Sequence, residues 1–330
     1  KEYLDTEPIS AKSLGKYYCV DGKRLEQQYI AFLSDYFEWN QKEHAADWLL
    51  FPENIGPYLS IDETSLSQGE LYTIVTNKQA KGRKGALVAI LKGIDADQII
   101  DRLKTIKESK RFTVREITLD MSPTMVKIAK KSFPKATIVT DRFHVQQLAY
   151  DAVQEMRIAY RWEAIELENK EIELAKSTKQ KYIPDMLENG DTLKQLLARS
   201  RYILFKRENK WTPSQHRRAE LLFRYYPDLE LAYNLAMKLG EIYHTVKDKG
   251  VGFTRLAKWY DEVERSGFKS FGTVSRSIQN NYQYILNFFE NRNTNASAES
   301  FNAKIKAFRS QFRGVRDIPF FLFRLSKIYA

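Results

Sequence analysis

Five acids in this chain are placed where they could do chemistry on phosphate: Asp62, Glu63, Asp120, Asp141 and Glu299. In YLSIDETSL, 58–66, the alternation of a strand puts Asp62 on the face of Tyr58, Ser60 and Thr64, and Glu63 on the opposite face with Leu59 and Ile61. An acidic pair in an arbitrary strand usually marks a solvated edge. The surroundings argue otherwise, because FTVREITLD ends in Asp120, ATIVTD ends in Asp141, and a late helix carries Glu299. Adjacent strands lie about 4.8 Å apart, so carboxylates from two of them can share a divalent cation. Three acids from two strands and a helix can hold two Mg²⁺ ions for phosphoryl transfer, one activating a nucleophile and one stabilising the leaving oxygen.

The elements that must position these acids are legible in the patterning. Residues 58–65, 70–76 and 85–92 read as three antiparallel strands. A helix over 95–106, with Ile99, Ile100, Leu103 and Ile106 on one side, crosses to a fourth strand ending at Asp120. Ser122 and Pro123 open the next helix, and 136–141 forms the fifth strand. The order βββαβαβ is that of a ribonuclease-H-like mixed five-stranded sheet, in which the first strand lies between the second and the fourth. From Phe143 to about residue 290 only helical patterns occur. In the last helix Phe301, Ile305, Phe308 and Phe312 form one apolar face, and Glu299, Asn302 and Lys306 lie off it. The fold class is therefore α/β plus all-α, with a large helical insertion in the sheet domain. Its parts are an N-terminal extension, 1–57; a first core segment, 58–149; an insertion, 150–290; and a second core segment, 291–330.

Composition narrows the partners. The 330 residues carry a net charge of +11, which favours a polyanion, with nucleic acid foremost. Residues 291–330 hold Arg292, Lys304, Lys306, Arg309, Arg313, Arg316, Arg324 and Lys327 against Glu299 and Asp317, and the first six are candidate phosphate contacts. The KGRKG turn, 81–85, could touch a DNA backbone or simply be solvated. One cysteine, Cys19, excludes a cysteine-based zinc site. No long apolar run or apolar leader points to membrane or export, so a cytoplasmic, nucleoid-associated protein is expected. Trp162, Trp211 and Trp259 could stack on unpaired bases, although packing between helices is the commoner role.

Three stretches together resemble the L3-type DDE transposases of bacterial insertion sequences, which are related to Mutator-like elements. They are SIDETS with Asp62, TLDMSPTM with FPKATIVTDRFHV, and NTNASAESFNAKIKAF with Glu299. RYILFKRENKWTPSQ and its helical surroundings resemble the insertion these enzymes carry between their second and third acids. The resemblance implies a metal-dependent enzyme, using Mg²⁺ with Mn²⁺ as a substitute, that hydrolyses a phosphodiester at each element end. The freed 3′-hydroxyl then attacks target DNA. It assigns the catalytic and metal-holding positions to Asp62, Asp120 and Glu299, with Asp141 as the rival second acid. Glu63, Asp141, His144 and Asn302 would support the site. The implied partners are double-stranded element ends and target DNA, with a homodimer or higher oligomer as the active form. Relatives usually add a zinc-binding and helix-turn-helix region, and no such pattern is visible in 1–57. The chain opens at Lys1 without methionine, so that module is expected on a removed segment or a separate polypeptide. The competing readings are a non-catalytic or domesticated DNA-binding relative and a stand-alone ribonuclease-H-like nuclease or resolvase.

Overall fold

The computed structural model describes residues 1–67, 69–292, 296–312, 315 and 317–330, with the backbone alone for residues 67, 291 and 296–299. Three short helices come first: α1 (Glu2–Thr6), α2 (Ala11–Tyr17) and α3 (Gly22–Gln28). The strands are β1 (Trp48–Leu50), β2 (Tyr58–Ser67), β3 (Glu70–Asn77), β4 (Leu87–Lys92), β5 (Glu116–Leu119) and β6 (Thr137–Thr140). Helices α4 (Ala96–Lys104) and α5 (Glu108–Arg111) precede β5, and α6 (Pro123–Ser132) separates β5 from β6. Then follow α7 (Arg142–Ser177), α8 (Leu193–Arg199), α9 (Pro213–Tyr225), α10 (Pro227–Thr245), α11 (Lys249–Ser266), α12 (Lys269–Asn280), α13 (Tyr282–Asn291), α14 (Ala296–Gln311) and α15 (Ile318–Tyr329). The chain forms two compact units, one of residues 1–141 and 293–330, the other of residues 142–292.

The sheet of the first unit is mixed, in the order β1-β4-β3-β2-β5-β6. β2 pairs antiparallel with β3 and parallel with β5, and β5 pairs parallel with β6. The strand of Asp62 thus lies between its hairpin partner and the strand that leads to Asp120. The expected five strands become six, because Trp48–Leu50 pairs antiparallel with β4. That strand is only three residues long and stops before Pro52, too short for alternation to register. Its central Leu49 is fully buried, which supplies the reason to pair. The fourth strand is also shorter than the expected 112–120, since residues 112–115 form a turn and an irregular stretch and only 116–119 join the sheet.

The two faces of the sheet bury different partners. On one face Tyr72, Ile74, Leu66, Ile90 and Leu49 pack with Phe301, Ile305 and Phe308 of α14 and with Phe321 and Leu325 of α15. This is the face of Ser60 and Asp62, because Ser60 opposes Thr76 and Asp62 opposes Ile74. α6 packs on β2, β5 and β6 and is itself packed on α4. Ser122 caps α6 by accepting from the Met125 N–H, and Pro123 fills the first turn, where no backbone donor is needed.

The N-terminal helices are fastened to α15. Leu4, Ala11, Leu14, Tyr29 and Tyr36 form a core with Phe320 and Phe323. α2 and α3 cross so closely that a Cβ at Gly15 would stand 2.6 Å from the Gly22 Cα, so glycine is required there. Arg324 is 1% exposed. Its guanidinium donates to the Glu7 and Ile9 carbonyls at 3.3 and 3.1 Å and lies over the Tyr29 and Phe308 rings.

The second unit, among its described residues, is built of helices joined by turns. α7 buries Val145, Ala149, Ala152 and Val153 on one side of its first half. Trp259 is fully buried and donates to the Leu235 carbonyl at 2.9 Å, and Trp211 donates to the Ile203 carbonyl at 3.1 Å. Trp162 is 60% exposed. No described helix is long and apolar enough to cross a membrane.

Replacing Arg324 with methionine removes the part-buried hydrogen bonds to the Glu7 and Ile9 carbonyls, at a cost of about 2 kcal/mol. Urea unfolding of Arg324→Met should show a loss of that size, and a loss below about 0.5 kcal/mol would show that Arg324 does not anchor the N-terminal helices.

Candidate functional site

The site is built on register. β2 and β5 run in parallel with Tyr58 opposite Glu116 and Ser60 opposite Thr118. Continued two residues past the last pair, that register leads to Asp62 within β2 and to Asp120 just beyond β5. β5 and β6 are paired up to Leu119 and Thr140, and the Asp141 N–H donates to the Leu119 carbonyl at 2.8 Å. That register continues to Asp120 and Asp141. Asp120 and Asp141 thus follow directly on the ends of β5 and β6, whereas Asp62 lies in the middle of β2, two strands from Asp141.

The Asp62 and Asp120 carboxylates are held by local donors. The Asn302 side-chain amide donates to Asp62 Oδ2 at 2.6 Å, and the Glu63 N–H donates to Asp62 Oδ1 at 2.8 Å. Asp120 Oδ1 accepts from the Ser122 N–H at 2.9 Å, at the point where the chain turns into α6. Asp141 is fully buried. Asn302 fixes where α14 meets β2, so the helical backbone sets residue 299 one turn before a contact to Asp62. The Glu299 side chain itself lies outside the described residues.

The local field is negative. Burial first, then the Asp120 and Asp62 carboxylates, push the Glu63 carboxyl above its ordinary range. A half-buried lysine, Lys78, compensates part of this charge. Lys78 Nζ donates to Thr118 Oγ1 at 2.6 Å and lies 3.6 Å from Glu116 Oε1. Burial pulls the Lys78 ammonium below its usual value, against the opposing pull of Glu116 and Asp141. Ser60 and Thr76 share a hydrogen bond of 2.7 Å on the same face. Sequence reasoning passed over Lys78, which reads as one more cation in a basic turn. The available signal was Glu116, an acid in the otherwise apolar EITL strand.

Among the described residues no three His, Cys, Asp or Glu side chains form a group that could hold a metal. Asp62, within β2, and Asp120, just past β5, are carboxylates on neighbouring strands. His144 belongs to the helical unit, half-buried on the first turn of α7.

The candidate phosphate contacts divide. Lys306 is exposed. Lys304 Nζ donates to the Gly82 carbonyl at 2.7 Å, which ties the KGRKG turn to α14, and Arg309 donates to the Ser65 carbonyl at 2.8 Å. Arg292 donates to the carbonyls of Tyr243, His244 and Val246, at and just past the end of α10. Arg313 and Arg316 lie outside the described residues.

The sequence matches the family model of the L3-type DDE transposases, described as transposase, over residues 59–325. None of the curated proteins matches. Among solved structures the chain is similar to the Drosophila P element transposase strand transfer complex, at 14% identity, covering 83% of this chain and 77% of that one, with a TM-score of 0.38.

The pH behaviour of Glu63 follows from its neighbours. Its folded value is raised above the unfolded value of about 4.3, so its contribution to stability is complete below that value and is lost as pH rises through the folded one. Asp120→Asn removes the larger of the two repulsions. Carboxyl NMR titration should show Glu63 moving down toward the ordinary range in that variant, and an unchanged Glu63 titration would show that the two acids are not neighbours.

Proposed function

The chain belongs to the L3-type DDE transposase family, and on that premise we propose that it cleaves DNA at insertion-sequence ends and joins the freed 3′ ends to target DNA. The observation that supports this reading is the parallel β2–β5 register, which runs toward Asp62 and Asp120, together with the Asn302 hydrogen bond from α14 to Asp62. Asp62, Asp120 and Glu299 would hold divalent cations, Mg²⁺ with Mn²⁺ as a substitute. The fit rests on the donor set: hard carboxylate oxygens on neighbouring strands, whose charge adds to burial in raising the Glu63 carboxyl. Such ions, when bound, activate the attacking oxygen and stabilise the leaving one.

The chain's own residues do the positioning. The Asn302 amide and the Ser122 N–H fix the orientation of the Asp62 and Asp120 carboxylates before any ligand arrives. Lys78 lowers the electrostatic cost of gathering acids by placing a cation beside Glu116 and near Asp141. In the first reaction water attacks the scissile phosphorus and the 3′ oxygen leaves. In the second, that 3′-hydroxyl attacks a target phosphodiester, and the number of phosphodiester bonds is conserved in the joining step. Lys304, Lys306 and Arg309 on α14 would contact DNA phosphates, with Arg313 and Arg316 continuing the same basic stretch. Asp141 and His144 would support the site without contacting the reacting phosphate.

A cleavage and joining assay with the element's own ends and Mg²⁺ tests the whole reading. Asp62→Asn, Asp120→Asn and Glu299→Gln keep side-chain size and remove charge, so each should abolish both steps, by at least about 1000-fold, with folding and DNA affinity nearly intact. Glu63→Gln should keep measurable activity. An active Asp120→Asn enzyme would remove Asp120 from the triad. A wild-type protein that binds the ends but never cuts would identify a non-catalytic relative, and one that cuts without joining would identify a nuclease.

A further inference from the structure

The helical unit contains a concave site of its own, which begins at the two residues that follow Asp141 in the chain. A cavity of about 410 Å³ is lined by Arg142 and Phe143 of α7, by Arg207 and Lys210 from the turns before α9, and by Tyr150 and His244. No aspartate or glutamate lines it. Among the described residues Arg142, Arg207 and Lys210 enter no ion pair, although other basic side chains of this unit do, such as Arg199 and Arg218 with Asp191. Arg207 and Lys210 are exposed. Phe143 is 42% exposed at the mouth, with the Arg142 guanidinium 4.9 Å from its ring centroid. The floor is fixed, because Gln146 Nε2 donates to the Ala236 carbonyl at 3.0 Å and a Cβ at Gly240 would come within 2.9 Å of Gln146 Oε1.

Positive charge without a protein counter-ion, beside an exposed aromatic face, is the chemistry of a nucleotide that has left its helix. The cations take the phosphate and the ring takes the base. Concavity separates this from duplex binding. A duplex presents phosphates on a convex surface and keeps its bases stacked inside, so it could rest only on the rim of a pocket this small. We infer that the pocket of the helical unit binds one unpaired nucleotide of DNA, with its phosphate on Arg207 and Lys210 and its base against Phe143. This rests on the reading of DNA as the substrate and adds a contact to single strands that the acid row does not provide.

The test is binding by the full chain in EDTA, followed by fluorescence anisotropy with a short labelled single strand and with a duplex of the same sequence. Phe143→Ala should weaken single-strand binding about tenfold, the effect of losing one base–aromatic stack, and Phe143→Tyr should restore it. Arg207→Ala combined with Lys210→Ala should weaken it by a similar factor and flatten its salt dependence. Duplex affinity should change by less than about twofold in all three. Circular dichroism melting checks that the variants fold. Equal losses on both DNAs would make the pocket part of a general basic surface and overturn the inference, as would unchanged single-strand affinity. A protein that binds neither DNA would overturn the DNA-substrate reading, and this inference with it.

Discussion

The parallel register of β2 with β5 brings like charges to the same place. Carboxylates gathered on neighbouring strands repel one another. Burial first, and then Asp120 and Asp62, make the ionisation of Glu63 harder. A fold keeps such an arrangement only when something offsets it. Asn302, the Ser122 N–H and Lys78 each offset a part, and the remainder is what a bound cation would neutralise.

The packing around the row serves this geometry. The aromatic and aliphatic stripe of α14 sits on Tyr72, Ile74 and Ile90, which fixes the helix on the face of Asp62 and lets Asn302 reach it. α15 braces α14 through Phe308 and Phe321, whose rings stack 5.2 Å apart, and the buried Arg324 fastens the N-terminal helices to the same layer. Basic residues near the site have structural duties as well. Lys304 and Arg309 each hold a backbone carbonyl, so a phosphate would compete for donors already in use or take the remaining ones.

Much of this could be read from the chain. Alternation assigned Asp62 and Glu63 to opposite faces of one strand, the helix between residues 95 and 106 implied a parallel crossover to Asp120, and the Ser122–Pro123 start of α6 followed from capping chemistry. The Phe301, Ile305, Phe308 stripe announced a helix packed on the sheet. Other features had no local signal. β1 is three residues long, and its pairing with β4 depends on a neighbour some forty positions away. Lys78 and Arg324 look like ordinary surface cations until the fold buries them beside Glu116 and the Glu7 and Ile9 carbonyls. Arg292 reads as a phosphate contact, and only tertiary structure shows it donating to the carbonyls of Tyr243, His244 and Val246.

The central claim is that Asp62, Asp120 and Glu299 converge on one cation site. Iron-directed cleavage tests it most directly, because Fe²⁺ bound in place of Mg²⁺ generates radicals that cut the polypeptide only near the ion. With ascorbate and peroxide the chain should be cut in three segments, around residues 62, 120 and 299, and Asp62→Asn should abolish all three cuts together. Cuts around residues 62 and 141 that spare 120, or the absence of any cut near 299, would contradict the account.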